Sequence, residues 1–178
     1  MRAFIVFLVL CFILNHTFAQ VKNRTSFYFL AQYNHTLYDR TIGNNPWGAG
    51  LGFEIFFKSQ SKFKPAIEFT RNLYLEDNKL LRLDPDGSTP SPAYDLNSMT
   101  NLFAGESYQS HSNIYLSLLA GPGFIGKNIY FGIKPSFGFY FTKSKRWTGK
   151  ISFINIFNRY TPTKEDFGSL SFAIGIKL

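Results

Sequence analysis

Two of the three histidines in this sequence, one of them flanked by serines, raise the question of nucleophilic catalysis. His111 stands in the segment QSHS close to Ser107, Ser110 and Ser112, whereas His35 lies far from it in the chain. A serine beside a histidine acts as a nucleophile only where an acid orients the base and the set lies at the substrate. Whether either histidine has such a role depends on where the fold places it. We interpret both as structural polar residues and expect no catalytic site.

The segment LDPDGSTPSPAYD contains oxygen ligands suited to a hard cation. Asp84, Asp86 and Ser88 alternate, and Asp95 is twelfth in the count from Asp84, which is the spacing of an EF-hand loop. However, Thr89 stands where that loop needs its glycine, and prolines interrupt the segment. An ordinary Asp-Pro-Asp-Gly turn explains the residues better. We expect neither a metal nor a cofactor.

The first residues predict export. MRAFIVFLVLCFILNHTFAQ has a basic start at Arg2, an apolar run from Ala3 to Leu14 and small residues before a cleavage point after Ala19. The apolar run is shorter than the roughly 20 residues that a membrane-spanning helix needs. We therefore predict a signal peptide at 1–19 and one domain at 20–178.

Composition narrows the function further. Cys11 is the only cysteine and belongs to the signal, so we expect no disulfide and no cysteine-based metal or redox site in the exported chain. The net charge is +8, but the basic residues are spread along the sequence, which favours lipid head groups over nucleic acid as partners. Aromatic residues make up 19% of the chain, more than an ordinary core accommodates.

Period-two alternation recurs through the rest of the chain and indicates strands. In WGAGLGFEIFFK, alternate residues from Trp47 to Phe57 are apolar, and in NIYFGIKPSFGFYFT those from Ile129 to Phe141 are apolar. Across these and the other predicted strands, the opposite face carries small and charged residues, which include Gly48, Gly50, Gly52, Gly132 and Gly138 together with Glu54, Glu68, Lys134 and Lys150.

Eight strands are predicted, at 26–38, 47–58, 62–74, 98–108, 112–120, 128–142, 147–158 and 168–178. The fourth, SMTNLFAGESY, is supported by the pattern of connectors. When this strand is included, the short links SQS, QSHS and KSKR all lie at one end of the predicted strands. The longer links DRTIGNNP, 75–97, GPGFIGK and YTPTKEDFG share the other.

Strands that are apolar on one face and mixed on the other predict an eight-stranded antiparallel up-and-down transmembrane β-barrel, because a closed barrel satisfies every backbone amide in lipid. Rings near strand ends are then expected in the head-group layer; they are Phe27, Tyr38, Trp47, Tyr108, Trp147 and Phe167. Pro65 and Pro135 fall inside strands and require a bulge or a position near the rim. The alternative is a soluble lipocalin-like barrel with its apolar face inside.

The chain resembles the small eight-stranded outer-membrane β-barrel proteins of Gram-negative bacteria. It is similar to OmpX and the OmpA transmembrane domain, and especially to the single-domain barrels of Bacteroidetes-type bacteria. The resemblance is carried by the signal ending TFAQ, by SNIYLSLLAGPGFIG joined through KN to NIYFGIKPSFGFYF, and by the terminal SLSFAIGIKL.

This resemblance implies a location and a biogenesis. The protein is expected in the outer membrane as a monomer, in contact with lipid and lipopolysaccharide. The last strand looks like the signal read by the barrel-assembly machinery and is expected to pair with the first strand. Its apolar positions are Leu170, Phe172, Ile174, Ile176 and Leu178. Leu178 departs from the terminal aromatic residue usual in this group.

Three functions remain open at this point. The first is a structural or interaction protein that presents its long loops to partners, with a lumen closed by pairing of Glu54 and Glu68 with Lys134 and Lys150. An eight-stranded barrel is just wide enough for its own side chains, so it is not a bulk porin. The second is a lipid A-modifying enzyme. The third, implied by the resemblance, is an accessory barrel in a secretion or assembly system with a protein partner.

Overall fold

The computed structural model describes residues 25–38, 47–78, 93–110, 113–125, 127–160 and 165–178. They form one closed barrel of eight antiparallel strands in sequence order. Among these residues, no helix has the length and apolar character needed to cross a bilayer. The predicted signal at 1–19 lies outside the described residues.

The strands confirm the predicted all-β fold class and strand number. They are β1 Ser26–Tyr38, β2 Trp47–Phe56, β3 Phe63–Asn78, β4 Ala93–Gln109, β5 Ile114–Ile125, β6 Asn128–Tyr140, β7 Trp147–Tyr160 and β8 Glu165–Lys177. The last strand pairs with the first along the run from Tyr28 with Lys177 to Tyr38 with Gly168, as predicted. Closure leaves no unpaired edge in the sheet.

The connections define two rims. At the turn rim, segments 57–62, 110–113 and 141–146 join neighbouring strands, and Thr25 and Leu178 lie at the outer ends of β1 and β8. At the loop rim, segments 39–46, 79–92, 126–127 and 161–164 join the other strands. The sides predicted for the connectors are confirmed.

Three predicted loops at the loop rim were too long; the last of them, YTPTKEDFG, shrinks to 161–164. GPGFIGK belongs mainly to β5, which continues to Ile125, so residues 126–127 alone link β5 and β6. The predicted loop at 75–97 shrinks to 79–92, because β3 and β4 remain paired as far as Asn78 with Ala93. Glycine and proline suggested a turn in the first case, yet Pro122 is paired with Phe131 of β6.

The prolines lie where a missing amide costs least. On the β4 side of Pro122, consecutive partners jump from Asn101 with Gly123 to Ala104 with Ala120. A similar gap on the β7 side of Pro135 separates the pair of Ile133 from that of Ser136. Pro65 lies near the turn rim, where its carbonyl accepts the Phe57 amide at 2.9 Å. The position near the rim that was predicted for Pro65 is confirmed, whereas Pro135 lies in the interior of β6 without a bulge, since the register with β7 is the same on both sides of the gap.

The outer face of the barrel is apolar, as the alternation predicts. Exposed aliphatic and aromatic side chains come from every strand; among them are Tyr33, Leu51, Phe53, Phe69, Leu102, Leu116, Leu118, Phe131, Phe137, Ile151, Phe172 and Ile174. We call this surface the apolar belt. A water-soluble barrel turns such residues inward, and here they lie outside.

Most of the predicted head-group rings lie on this outer face. Phe27, Trp47 and Trp147 are exposed near strand ends, and the Tyr108 ring lies 5.2 Å from that of Phe63. Phe167 is the exception, because it is buried in the lumen with a relative exposure of 1%. It shares the strand parity of Ser169 and Ser171, which also face inward. The Tyr38 side chain lies outside the described residues.

A charge placed in the apolar belt tests whether lipid covers it. Ile151 is 40% exposed between Phe137 and Phe172, and Ile129 is 68% exposed beside the loop rim. In lipid we expect Ile151→Arg to lower the free energy of unfolding by about 2–4 kcal/mol and Ile129→Arg by about 0–1 kcal/mol, because the cost depends on depth. Denaturant titrations in lipid vesicles measure both. Equal, near-zero changes would indicate a surface wetted by water.

Candidate functional site

Four charged side chains meet inside the barrel and form the ion network. The Lys134 ammonium contacts the Glu68 carboxylate, and the Lys150 Nζ lies 2.9 Å from Glu54 Oε1 and 2.6 Å from Glu68 Oε2. All four side chains are buried. Two carboxylates and two ammonium groups balance, so these four buried groups together carry no net charge. The pairing predicted from the sequence is confirmed.

Strand register explains why these residues meet. Glu54 of β2 and Glu68 of β3 are direct cross-strand partners, an arrangement that is unfavourable for like charges. Lys150 offsets it by contacting both carboxylates from β7. Opposite Lys150 stands Gly138, where a Cβ atom would lie 2.1 Å from the Tyr115 ring. Glycine at 138 therefore leaves room for a large ring beside the network.

A layer of rings separates the network from the turn rim. Tyr28 and Phe56 meet edge to face at 5.8 Å, Phe56 and Tyr115 do so at 5.4 Å, and the Tyr115 and Tyr140 centroids are 5.1 Å apart. The Tyr115 and Thr148 hydroxyls lie 3.0 Å apart. These four rings form what we call the aromatic floor.

Amide side chains lie elsewhere in the lumen. Gln32 Nε2 donates to Asn72 Oδ1, and Asn34 Nδ2 donates to the same oxygen at 3.2 Å. Ser171 Oγ donates to Gln32 Oε1 at 3.2 Å, and Asn101 Nδ2 donates to Thr70 Oγ1 at 3.4 Å. These bonds connect buried polar groups from several strands, while Asn34 Oδ1, Asn72 Nδ2 and Asn101 Oδ1 have no partner among the described residues.

Toward the loop rim, aromatic and aliphatic side chains fill the lumen. The Tyr74 and Phe167 rings meet edge to face at 5.3 Å, and the Tyr74 hydroxyl donates to Ser169 Oγ at 3.4 Å. Other buried apolar residues include Met99, Phe103, Ile154 and Ile156. Buried side chains are therefore present from the aromatic floor to the loop half.

One wall of the lumen carries a row of serines. Ser107 pairs with Ser117, Ser117 with Ser136, Ser136 with Ser152, and Ser152 with Ser171, across five adjacent strands. The first four hydroxyls are buried without a protein partner among the described residues. Buried hydroxyls of this kind commonly bind ordered water.

Within the part of the chain that the structure describes, the candidate catalytic residues do not come together. His35 lies in register with Trp47 and Leu170, on the outer-facing positions of β1, and its backbone carbonyl accepts the Ser169 hydroxyl at 3.2 Å. Ser107 faces the lumen as part of the serine row. His111 and Ser112 lie outside the described residues.

The predicted cation loop is also outside the described side chains. This applies to Asp84, Asp86, Ser88 and Asp95. Within the described part of the chain, no three histidine, cysteine, aspartate or glutamate residues lie close enough to hold a metal ion.

The fold brings together, at the turn rim, basic residues that lie far apart in the sequence. Basic residues crowd the turn rim, namely Lys58, Lys62, Lys64, Lys143, Lys145, Arg146 and Lys177. Four of them, Lys58, Lys64, Lys145 and Lys177, line a cavity of about 240 Å³. The expectation of dispersed basic residues was therefore wrong. The predicted short links already contained the signal, since SQSKFK, TKSKR and the terminal IKL all meet at this rim.

Removing Lys150 tests the ion network. Lys150→Met leaves the Glu54 carboxylate without an ammonium partner, and we expect unfolding in lipid vesicles to become easier by about 3–5 kcal/mol. Lys127→Met, at an exposed residue of the β5–β6 link, is the control and should change stability by less than about 0.5 kcal/mol.

The double variant Glu54→Gln with Lys150→Met restores charge balance and should recover much of the loss. A network that matters only as packing would give single and double variants of equal stability.

Comparison with known proteins places the fold. No protein-family model matches the sequence, and no curated protein matches it. Among solved structures, the outer membrane protein Ail of Yersinia pestis in a phospholipid bilayer nanodisc has a TM-score of 0.57 at 9% identity, covering 87% of this chain and 100% of that one. Ail in complex with the heparin analogue sucrose octasulfate has a TM-score of 0.53 at 12% identity, covering 86% and 97%. The chain therefore has the fold of the small eight-stranded outer-membrane β-barrels that it resembles in sequence pattern.

Proposed function

We propose that this chain is a small integral outer-membrane protein with a lumen closed to bulk transport, which presents its loop rim to partners outside the cell. The observation that carries the proposal is the combination of the apolar belt outside with the balanced ion network inside. Hydrocarbon solvates the apolar belt, and the charges of the ion network neutralise one another. A soluble barrel has the opposite arrangement, with its apolar residues inside and its polar residues facing water.

The orientation follows from the two rims. Barrels of this class have short turns in the periplasm and longer loops outside the cell. The turn rim holds the start of β1, the end of β8 and the links 57–62, 110–113 and 141–146. It therefore faces the periplasm, because the two longest links, 39–46 and 79–92, lie at the opposite rim together with 126–127 and 161–164.

Anionic lipid is the first proposed partner. Arg71 is exposed on the outer face of β3, in register with Leu51 and Thr100. An arginine on a lipid-facing surface extends its long side chain toward the head-group layer, where phosphates balance its charge. This supports contact with lipopolysaccharide. Ail, which shares the fold, has been solved with a sulfated ligand, which supports the proposal that surfaces of such barrels take anionic partners.

Biogenesis adds a second partner. β8 keeps alternate apolar residues on the outer face, with Phe172, Ile174 and Leu178 exposed, and its pairing with β1 closes the barrel. These features support recognition of the terminal strand by the barrel-assembly machinery. An outward-facing protein partner, in a host or in a secretion system, would meet the loop rim.

The closed lumen predicts electrical silence. Planar-bilayer recordings of the purified barrel should show no steady conductance step, since the aromatic floor and the ion network cross the lumen. Repeated large, long-lived channels would contradict the closed lumen while leaving the membrane location intact.

Gel migration and fractionation test the location. Without boiling, the mature chain should run as a compact band in detergent, and after boiling as a slower band, because the closed ladder resists cold detergent. The protein should sediment with outer-membrane fractions. Recovery in the soluble periplasmic fraction with no heat-dependent shift would argue against insertion.

A further inference from the structure

We infer that the mouth of the barrel at the turn rim binds a phosphate group. The site is the cavity of about 240 Å³ lined by Lys58, Lys64, Lys145 and Lys177, which we call the cationic cup. Its base is formed by Tyr28, Phe56 and Tyr140 of the aromatic floor. The proposed closed barrel with outward loops does not require this site.

Local structure positions three of the four lysines. Lys64 is second in β3 and Lys177 is last in β8, where its amide donates to the Arg146 carbonyl at 2.7 Å. Lys145 has a φ of 55°, which is uncommon for lysine. Its amide donates to the Thr142 carbonyl at 2.9 Å, and its carbonyl accepts the Tyr28 hydroxyl at 2.8 Å. These bonds fix the turn that carries the Lys145 side chain to the cup.

The charge of the cup is not compensated by described carboxylates. Lys64 is half-buried, its Nζ donates to Gln109 Oε1 at 2.6 Å, and Lys58, Lys145 and Lys177 all repel it. Among the described residues, the ion pairs involve the ion network and none of these four lysines.

A phosphate group suits these features better than a single carboxylate. Phosphate monoesters carry a charge of about −1.5 to −2 near neutral pH and offer three acceptor oxygens. Lysine binds phosphate as a point charge and needs no fixed fork geometry. The cavity of about 240 Å³ accommodates inorganic phosphate or pyrophosphate.

The aromatic floor stops an anion from entering the lumen. The Tyr140 ring lies 4.9 Å from Lys145 Nζ, and the floor separates the cup from Glu54 and Glu68. An anion is therefore held at the mouth of the barrel. The phosphate group has two sources, the lipid head groups of the adjoining leaflet and soluble phosphate compounds of the periplasm.

Calorimetric titration with inorganic pyrophosphate tests the site. The mature chain is folded in a maltoside detergent, which contains no phosphate, at low ionic strength. Wild type should bind. Lys64→Gln and Lys145→Gln should each weaken binding about tenfold, the effect of losing one charged hydrogen bond. Lys143→Gln is the control, because Lys143 is exposed in the same turn and does not line the cup.

A wild type that does not bind pyrophosphate overturns the site. An equal loss for Lys143→Gln also overturns it, since rim charge alone would then explain binding. Each variant must keep its heat-dependent gel shift; if one fails to fold, Lys58→Gln replaces it. Amide NMR signals of Lys64, Lys145 and Lys177 should move in the wild type, and movement confined to other residues would place the anion elsewhere.

Transfer into phospholipid nanodiscs separates the two sources. If lipid phosphate fills the cup, the Lys64 amide shifts on transfer and pyrophosphate no longer binds. If the ligand is soluble, pyrophosphate binds with unchanged affinity. Either outcome supports the phosphate site, and its failure would leave the closed lumen and the membrane location untouched.

Discussion

Backbone hydrogen bonding in hydrocarbon is the constraint on which this structure depends. Inside a bilayer no water is present to accept a free amide, so every strand needs a partner on both sides. Pairing of β8 with β1 meets that need. It also explains why the terminal strand shows such regular alternation up to Leu178, where chains otherwise fray. The prolines comply with the same constraint, since Pro122 and Pro135 lie at gaps in one of their two ladders.

Closure also fixes what the interior must contain. Eight strands enclose a space that side chains fill, and the alternation of each strand delivers every second residue to it. The aromatic floor, the ion network, the amide groups and the serine row each draw on several strands. Burying Glu54 and Glu68 side by side is tolerable because Lys134 and Lys150 come from the opposite part of the barrel. Specific pairing of buried charges thus ties distant strands together.

Much of the fold could be predicted from the sequence, because a two-residue period is a local property. Alternation gave the strands, their faces and the barrel, and the same parity placed Glu54, Glu68, Lys134 and Lys150 in the lumen. Loop boundaries were predicted wrongly where the residue types favour turns. Gly121, Pro122 and Gly123 are such residues, yet they belong to β5 because they pair with β6. The prediction of Phe167 in the head-group layer was wrong, because its position near a strand end was given more weight than its alternation with the inward-facing residues of β8. The cationic cup was missed because its lysines lie far apart in the sequence and come together only when the barrel closes.

Contact of the outer face of the barrel with hydrocarbon is the central feature of this structure. Spin labels on single cysteines at 116, 117, 118 and 119 of β5 measure this most directly in lipid vesicles, since Cys11 is the only natural cysteine. Leu116 and Leu118 face outward, and Ser117 and Leu119 face the lumen. We expect high oxygen accessibility at 116 and 118 and low accessibility at 117 and 119. Labels at 116 and 118 that meet a water-soluble relaxing agent instead would contradict it.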